Sequence, residues 1–115
     1  MIEYTLPWPP SANNLFVGRH RRHVSRAYKC WRHHAGLSMR VQRVPAITKP
    51  AAIEIILTPP DRRRRDCDNL AKPIVDLAVS MGVLIDDSRR YVKSIAIRWA
   101  DEVGEAGALV RIREA

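Results

Sequence analysis

The stretch AAIEIILT, residues 51–58, restricts the fold more than any other, because only Glu54 interrupts its apolar run. It reads as a largely buried strand, which needs strand neighbours and a covering layer. The flanking segments supply both. IEYTL, residues 2–6, alternates in character and stops at Pro7, as a short strand does. Residues 7–24, PWPPSANNLFVGRHRRHV, carry no apolar period and read as a long loop. Ser25 is placed to cap a helix running to about Val44, where Pro45 stops it. In that helix Tyr28, Trp31, Ala35 and Met39 recur at steps of three and four, a stripe for the core, with Lys29, Arg32, His33, Arg40 and Arg43 on the other faces.

Residues 59–68, PPDRRRRDCD, read as a loop, and a second helix starts at about Asp68 or Asn69. Leu70, Ile74, Leu77 and Met81 form its buried stripe, and Gly82 can end it. Pro73 falls near its first turn, tolerable only where no backbone hydrogen bond is lost. VLIDDSRR reads as a short strand or loop, YVKSIAIRWA as a half-buried strand, DEVGEAG as a turn and ALVRIRE as a last strand that forms a hairpin with the one before. The expectation is one α+β domain, a mixed β-sheet flanked by two helices, in the order β-α-β-α-β-β over residues 1–115.

The charge is distributed unevenly. Formal net charge is +8, yet no acidic residue occurs between Tyr4 and Ile53, where nine lysines and arginines lie; the rest of the chain holds eleven against twelve acids. The excess cation therefore belongs to the N-terminal half and points to a polyanionic partner, nucleic acid first. A membrane surface fits less well, since the basic residues alternate with histidines and lack a bulky apolar face. The N-terminus has Glu3 and an early proline where a secretory signal needs a basic end and an apolar run, and no apolar stretch approaches the roughly 20 residues that span a bilayer. The expectation is a soluble intracellular protein. The two cysteines, Cys30 and Cys67, form neither a disulfide framework nor a zinc pattern.

Chemistry concentrates in RRRRDCDNLAK, residues 62–72. In extended backbone Asp66 and Asp68 turn to one side, and two unshielded carboxylates there call for a hard cation, Mg²⁺ or Mn²⁺. Lys72 follows Asp68 by four residues and Asp76 follows Lys72 by four, while Asp86-Asp87 after the second helix can return alongside. Carboxylates with a metal, a lysine and surrounding arginines suit phosphodiester hydrolysis. Quieter roles suit the same residues. Asp66 and Asp68 can cap the helix and pair with Arg62 to Arg65, Lys72 and Asp76 can form a surface pair, and Asp86-Asp87-Ser88 can be a turn. His20, His23, His33 and His34 lie among arginines and read as phosphate-contact or exposed residues, and Trp8, Trp31 and Trp99 as core or interface residues.

With these motifs in place, the sequence resembles the RusA family of Holliday junction resolvases along almost its whole length. LPWPPSANNLF resembles the family's proline-rich opening, HVS its entry to the first helix, and PDRRRRDCDNLAK with LIDD its active-site motifs. By position the resemblance implies metal binding at Asp66, Asp68 and Asp87, with Asp86 ranked below Asp87, and an active-site lysine at Lys72. It further implies a homodimer, Mg²⁺ dependence and paired symmetric nicks across a four-way DNA junction. Arg64 and Arg65 are expected at phosphates, with Arg19, Arg21, Arg22 and Arg26 holding the junction arms. Two other readings stay open: a nuclease of other branched DNA such as flaps, and a DNA-binding protein whose carboxylates are structural.

Overall fold

The computed structural model describes residues 1–102 and 104–115, so Val103 in the expected turn lies outside the described residues. Its elements are Ile2–Leu6 (β1), Phe16–Val17 (β2), His23–Val24 (β3), Arg26–Val41 (α1), Ala51–Thr58 (β4), Ala71–Ser80 (α2), Val92–Trp99 (β5) and Gly107–Glu114 (β6). Four of the strands form one mixed sheet in the order β1-β6-β4-β5, and β2 and β3 form a separate two-stranded ribbon.

The expected hairpin of the last two strands does not form. β6 inserts between β1 and β4, antiparallel to both, and β5 pairs parallel to β4 on its far side. Burial explains the order. β6 buries Ala108, Val110 and Ile112 in alternation, whereas β5 is exposed along most of its length. The better-buried strand takes the interior place, and α2 provides the crossover that a parallel pair requires. At the entry to β6 a Cβ on Gly107 would stand 2.7 Å from the Leu6 carbonyl oxygen, so only glycine lets β1 and β6 approach there.

The inward residues of the sheet, Tyr4, Leu6, Ile53, Ile55, Leu57, Ala108, Val110 and Ile112, belong to one apolar cluster with the helix residues Tyr28, Trp31, Ala35, Met39, Ile74, Leu77 and Ala78. Both helices therefore cover the same face. The other face explains Glu54, which accepts from Arg111 at 3.2 Å, while Arg111 also donates to Glu3 at 2.9 Å. Tyr4 is 2% exposed, and its hydroxyl has no hydrogen-bond partner among the described residues; burial pushes its pKa up. An unpaired buried hydroxyl keeps its desolvation cost. Tyr4→Phe should accordingly raise the unfolding free energy by about 1 kcal/mol, read from urea melts.

Local chemistry sets the helix ends. The Ser25 hydroxyl oxygen accepts the Tyr28 amide at 3.1 Å and its proton goes to the Asn14 carbonyl at 2.8 Å, so one side chain caps α1 and anchors the preceding segment. α1 ends at Val41, short of the expected Val44, because Arg43 adopts φ 55° and the Val44 amide returns to the Met39 carbonyl at 3.2 Å. The side chain of Gln42 then accepts from the Thr5 amide and donates to the Thr5 carbonyl, each at 2.8 Å, fastening the end of α1 to the outer edge of β1. α2 stops as expected: Gly82 takes φ 78° and the Val83 amide bonds the Ala78 carbonyl at 2.9 Å. Pro73 is the third residue of α2, where the amide would have had no acceptor within the helix, so its ring costs no hydrogen bond.

Candidate active site

Residues 7–24, expected to be a long loop, contain a short helical turn and a small ribbon. A 3₁₀ turn at Ala12–Asn14 precedes Leu15, which is fully buried, and the β2–β3 ribbon then pairs Phe16 with Val24 and Val17 with His23. The ribbon carries Arg19, Arg21 and Arg22 exposed at its turn, and Arg26 is exposed at the first position of α1. Trp31 donates its indole N–H to the Pro7 carbonyl at 3.0 Å, which ties the start of this segment to α1. A cleft of about 630 Å³ lies between it and the arginine turn, lined by Trp8, Ser11, Asn13 and Asn14 on one side and Arg63, Arg64, Asp66 and Asn69 on the other.

Past β4, two prolines at 59 and 60 prevent the sheet ladder from continuing. Arg62, Arg63 and Arg64 are exposed there. Asp66 keeps an extended backbone, at φ −96° and ψ 121°, but Asp68 lies within a 3₁₀ turn, Cys67–Leu70, that leads into α2. The same-side geometry expected of an extended pair therefore does not carry through Asp68.

Neither quieter role of this pair is realised. Asp66 makes no side-chain cap, and neither Asp66 nor Asp68 has an ion partner among the described residues, although four arginines precede them. Both side chains are exposed. Asp87 is likewise exposed and lacks an ion partner among the described residues. Asp86 behaves as a turn residue: it accepts the Ser88 amide at 2.8 Å, and hydrogen bonds from Ser88 hold its carboxyl below the usual range.

Lys72, in the first turn of α2, lies 3.2 Å from the Asp76 carboxylate, the surface pair that the spacing allowed. That hydrogen bond, then the charge of Asp76, with a smaller contribution from Asp87, raises the Lys72 pKa. Lys72 is thus a fixed cation at neutral pH and cannot serve as a base there.

Among the described residues, no three His, Cys, Asp or Glu side chains converge as a metal cluster. Asp66, Asp68 and Asp87 are thus not gathered into one cage. Their chemistry still fits a hard divalent cation, because all three are unneutralised, water-facing oxygen donors. An open set of this kind matches Mg²⁺, which keeps several of its waters and binds through one or two carboxylates. The histidines at 20, 23, 33 and 34 are all exposed.

Sequence reasoning missed Asp61. It accepts both terminal nitrogens of Arg65, at 2.6 and 3.1 Å, and the Arg63 amide at 2.9 Å. These bonds, that from the Arg65 side chain first, bring its pKa down to about 2. Arg65, expected at a phosphate, is therefore already engaged, and its side chain is 21% exposed against 82% for Arg63. No local signal pointed to the pair, because residues 61–65 form a loop, where a spacing of four does not bring side chains together as it does on a helix.

The family model described as Endodeoxyribonuclease RusA matches residues 7–113. The chain is 37% identical over 87 residues to the crossover junction endodeoxyribonuclease RusA of Escherichia coli strain K12, covering 74% of this chain and 72% of that protein. The enzyme of the same name from enterobacteria phage 82 is 36% identical over the same shares.

Proposed function

Because the chain belongs to the RusA family of endodeoxyribonucleases, we propose that it resolves Holliday junctions by paired symmetric nicks, as a homodimer with Mg²⁺ or, in substitution, Mn²⁺. It is an endodeoxyribonuclease in its chemistry. The observation that carries the finer reading is the state of Asp66 and Asp68, both exposed just after four arginines, Asp66 lining the cleft, with neither cap nor ion partner among the described residues. Exposed and unpaired, both carboxylates stay available as oxygen ligands to a hard cation.

In this reading Asp66, Asp68 and Asp87 are the residues that would hold the metal, which would supply Lewis-acid activation of the phosphate and of water. Lys72 supplies a positive charge where negative charge grows on the phosphoryl oxygens, and its raised pKa keeps it protonated for that task. Arg64 contacts a phosphate near the cleft, and Arg19, Arg21, Arg22 and Arg26 attract the arms of the junction through contacts that carry no sequence information. A four-way junction has an approximate two-fold axis, so a two-fold dimer would set one site against each of two opposed strands. Among the described residues no helix is long and apolar enough to cross a membrane.

The test is incubation of the purified chain with end-labelled four-way junction, 5′ flap and linear duplex, with and without Mg²⁺. Metal-dependent, symmetrically placed nicks in the four-way junction are the expected result. Preferential cutting of the flap would move the substrate to other branched DNA, and junction binding without nicks under Mg²⁺ or Mn²⁺ would leave a DNA-binding protein.

A further inference from the structure

We propose that the valley between α1 and α2 carries a second phosphate site, formed by Arg40 and Arg43, which grips the backbone of a junction arm about 12 Å from Lys72. The inference rests on the reading above only in taking branched DNA as the partner. The two helices lie alongside each other and run in the same sense. At one end of the valley the Arg32 guanidinium lies 4.6 Å from the centroid of the Tyr28 ring. Burial first, and then the charge of Asp76, raises the Tyr28 pKa, while the charges of Arg32 and Lys72 oppose the rise, so the first turns of α2 face the same ring. Further along, a Cβ on Gly36 would stand 3.3 Å from the Met81 sulfur. At the far end a cleft of about 360 Å³ is lined by Arg40 and Arg43 at the close of α1 and by Ser80 and Met81 at the close of α2. Eight helical steps separate Lys72 from Ser80 and Arg32 from Arg40, about 12 Å in each case. Along one DNA strand that is roughly three or four nucleotides.

The backbone at Arg43 sets this pair apart from an ordinary solvated cluster. Its φ of 55° lies in the left-handed region, and it closes α1 where glycine, with no Cβ, is the favoured residue. Stability alone would put glycine there. Arg40, in the last turn, sits where the helix dipole favours a cation, but the other end of α1 is charged against its dipole: its first turn holds no acid and opens on Arg26. The helix is thus built for an anion outside it and not for its own stability. Neither Arg40 nor Arg43 has an ion partner among the described residues, whereas Lys49, Lys72 and Arg111 each have one. Two free guanidinium groups beside a hydroxyl suit a phosphate, whose oxygens accept from several donors at once.

The experiment measures four-way junction binding without divalent metal over a range of salt, for the full-length wild type, Arg40→Gln, Arg43→Gly, the double variant and Arg98→Gln. Arg98 is the control, being exposed and in register with Ile56 on the sheet face away from the helices. Each valley variant should lower the salt slope by about one and the double variant by about two, with the control unchanged. Uncharged methylphosphonate linkages, placed one at a time along an arm, should weaken binding by the wild type at one position and leave the double variant indifferent there. A thermal melt of Arg43→Gly should show a midpoint equal to or above that of the wild type, because glycine relieves the left-handed backbone. Single-turnover nicking at saturating protein should not change.

Unchanged slopes in Arg40→Gln and Arg43→Gly would overturn the proposal. An equal fall in Arg98→Gln would do the same, because the attraction would then be diffuse. A lower melting midpoint for Arg43→Gly with unaltered binding would make Arg43 a structural residue. Inorganic phosphate that protects the wild type from unfolding, with slopes unchanged in the variants, would assign the pair to a small anion instead. If the wild type binds the junction and nicks nothing, the resolvase reading fails by itself, while the slopes still decide whether the arm site exists.

Discussion

Asp68→Asn should reduce nicking of a four-way junction by on the order of 10³-fold or more, while junction binding persists or tightens. The change keeps the size and shape of the side chain and removes one negative charge, so a large loss of rate without loss of fold isolates the electrostatic role. A metal that polarises phosphate and activates water accounts for several kcal/mol of the barrier, and 4 kcal/mol alone corresponds to about 10³ in rate. Binding should not suffer, because a carboxylate facing a polyanion repels it. The measurement is single-turnover cleavage beside a gel-shift titration in Ca²⁺ or without metal, with a thermal melt of the variant. Stability should change little, since the Asp68 side chain is exposed and forms no ion pair among the described residues. A variant that loses stability and keeps its cutting rate would return the aspartate to a structural role. Asp66→Asn is expected to behave in the same way.

The second large effect is on the fold. Leu15→Ala should cost about 3 kcal/mol, a sizeable part of the roughly 5–15 kcal/mol that holds a domain of this size together. Leu15 is fully buried within the central apolar cluster, although it belongs to a proline- and arginine-rich segment. Removing its branched end loses transfer free energy and leaves a cavity inside the apolar cluster, whose close-packed walls relax only partly. The neighbouring Phe16 gives the control. It is 39% exposed and touches Tyr28 edge-on at 6.3 Å between centroids, so Phe16→Ala should cost about 1 kcal/mol. Urea unfolding of both variants checks the contrast. Equal costs would mean that the segment is not anchored at Leu15.

The two helices and the four main strands were legible because each carries a local period: steps of three and four in residues 28–39 and 70–77, and the apolar run or alternation of residues 2–6, 51–58, 91–100 and 108–114. The caps at Ser25 and Gly82 were legible for the same reason, being set by residues within one turn. The sheet order was not. β5 and β6 are consecutive, with a turn-like segment between them, and a hairpin is the natural inference; what decides otherwise is how deeply each strand is buried against partners far away in sequence. The ribbon formed by β2 and β3 was missed because two-residue strands have no period to detect.

For the site, the distinctive residues were readable and their relations were not. The sequence could offer Asp66 and Asp68 as caps or as ligands, and it took coordinates to show them without either cap or ion partner among the described residues. Arg65 looked equivalent to Arg64, since nothing in a run of four arginines distinguishes one that a neighbouring acid has claimed. Asp86 stood below Asp87 by resemblance alone, and only the coordinates show the Ser88 amide bonded to its carboxylate.

Gln42 has a bearing on aggregation. Sheets are extended by recruiting new strands at their margins, and a margin grows only where its amides and carbonyls are free. At Thr5 both groups are already occupied by the Gln42 carboxamide, so a strand approaching along β1 meets a hydrogen-bonding pattern that has been filled by a side chain. The opposite margin, β5, has no such plug among the described residues. Strand-by-strand recruitment is thereby obstructed at one end by a single glutamine at the end of a helix.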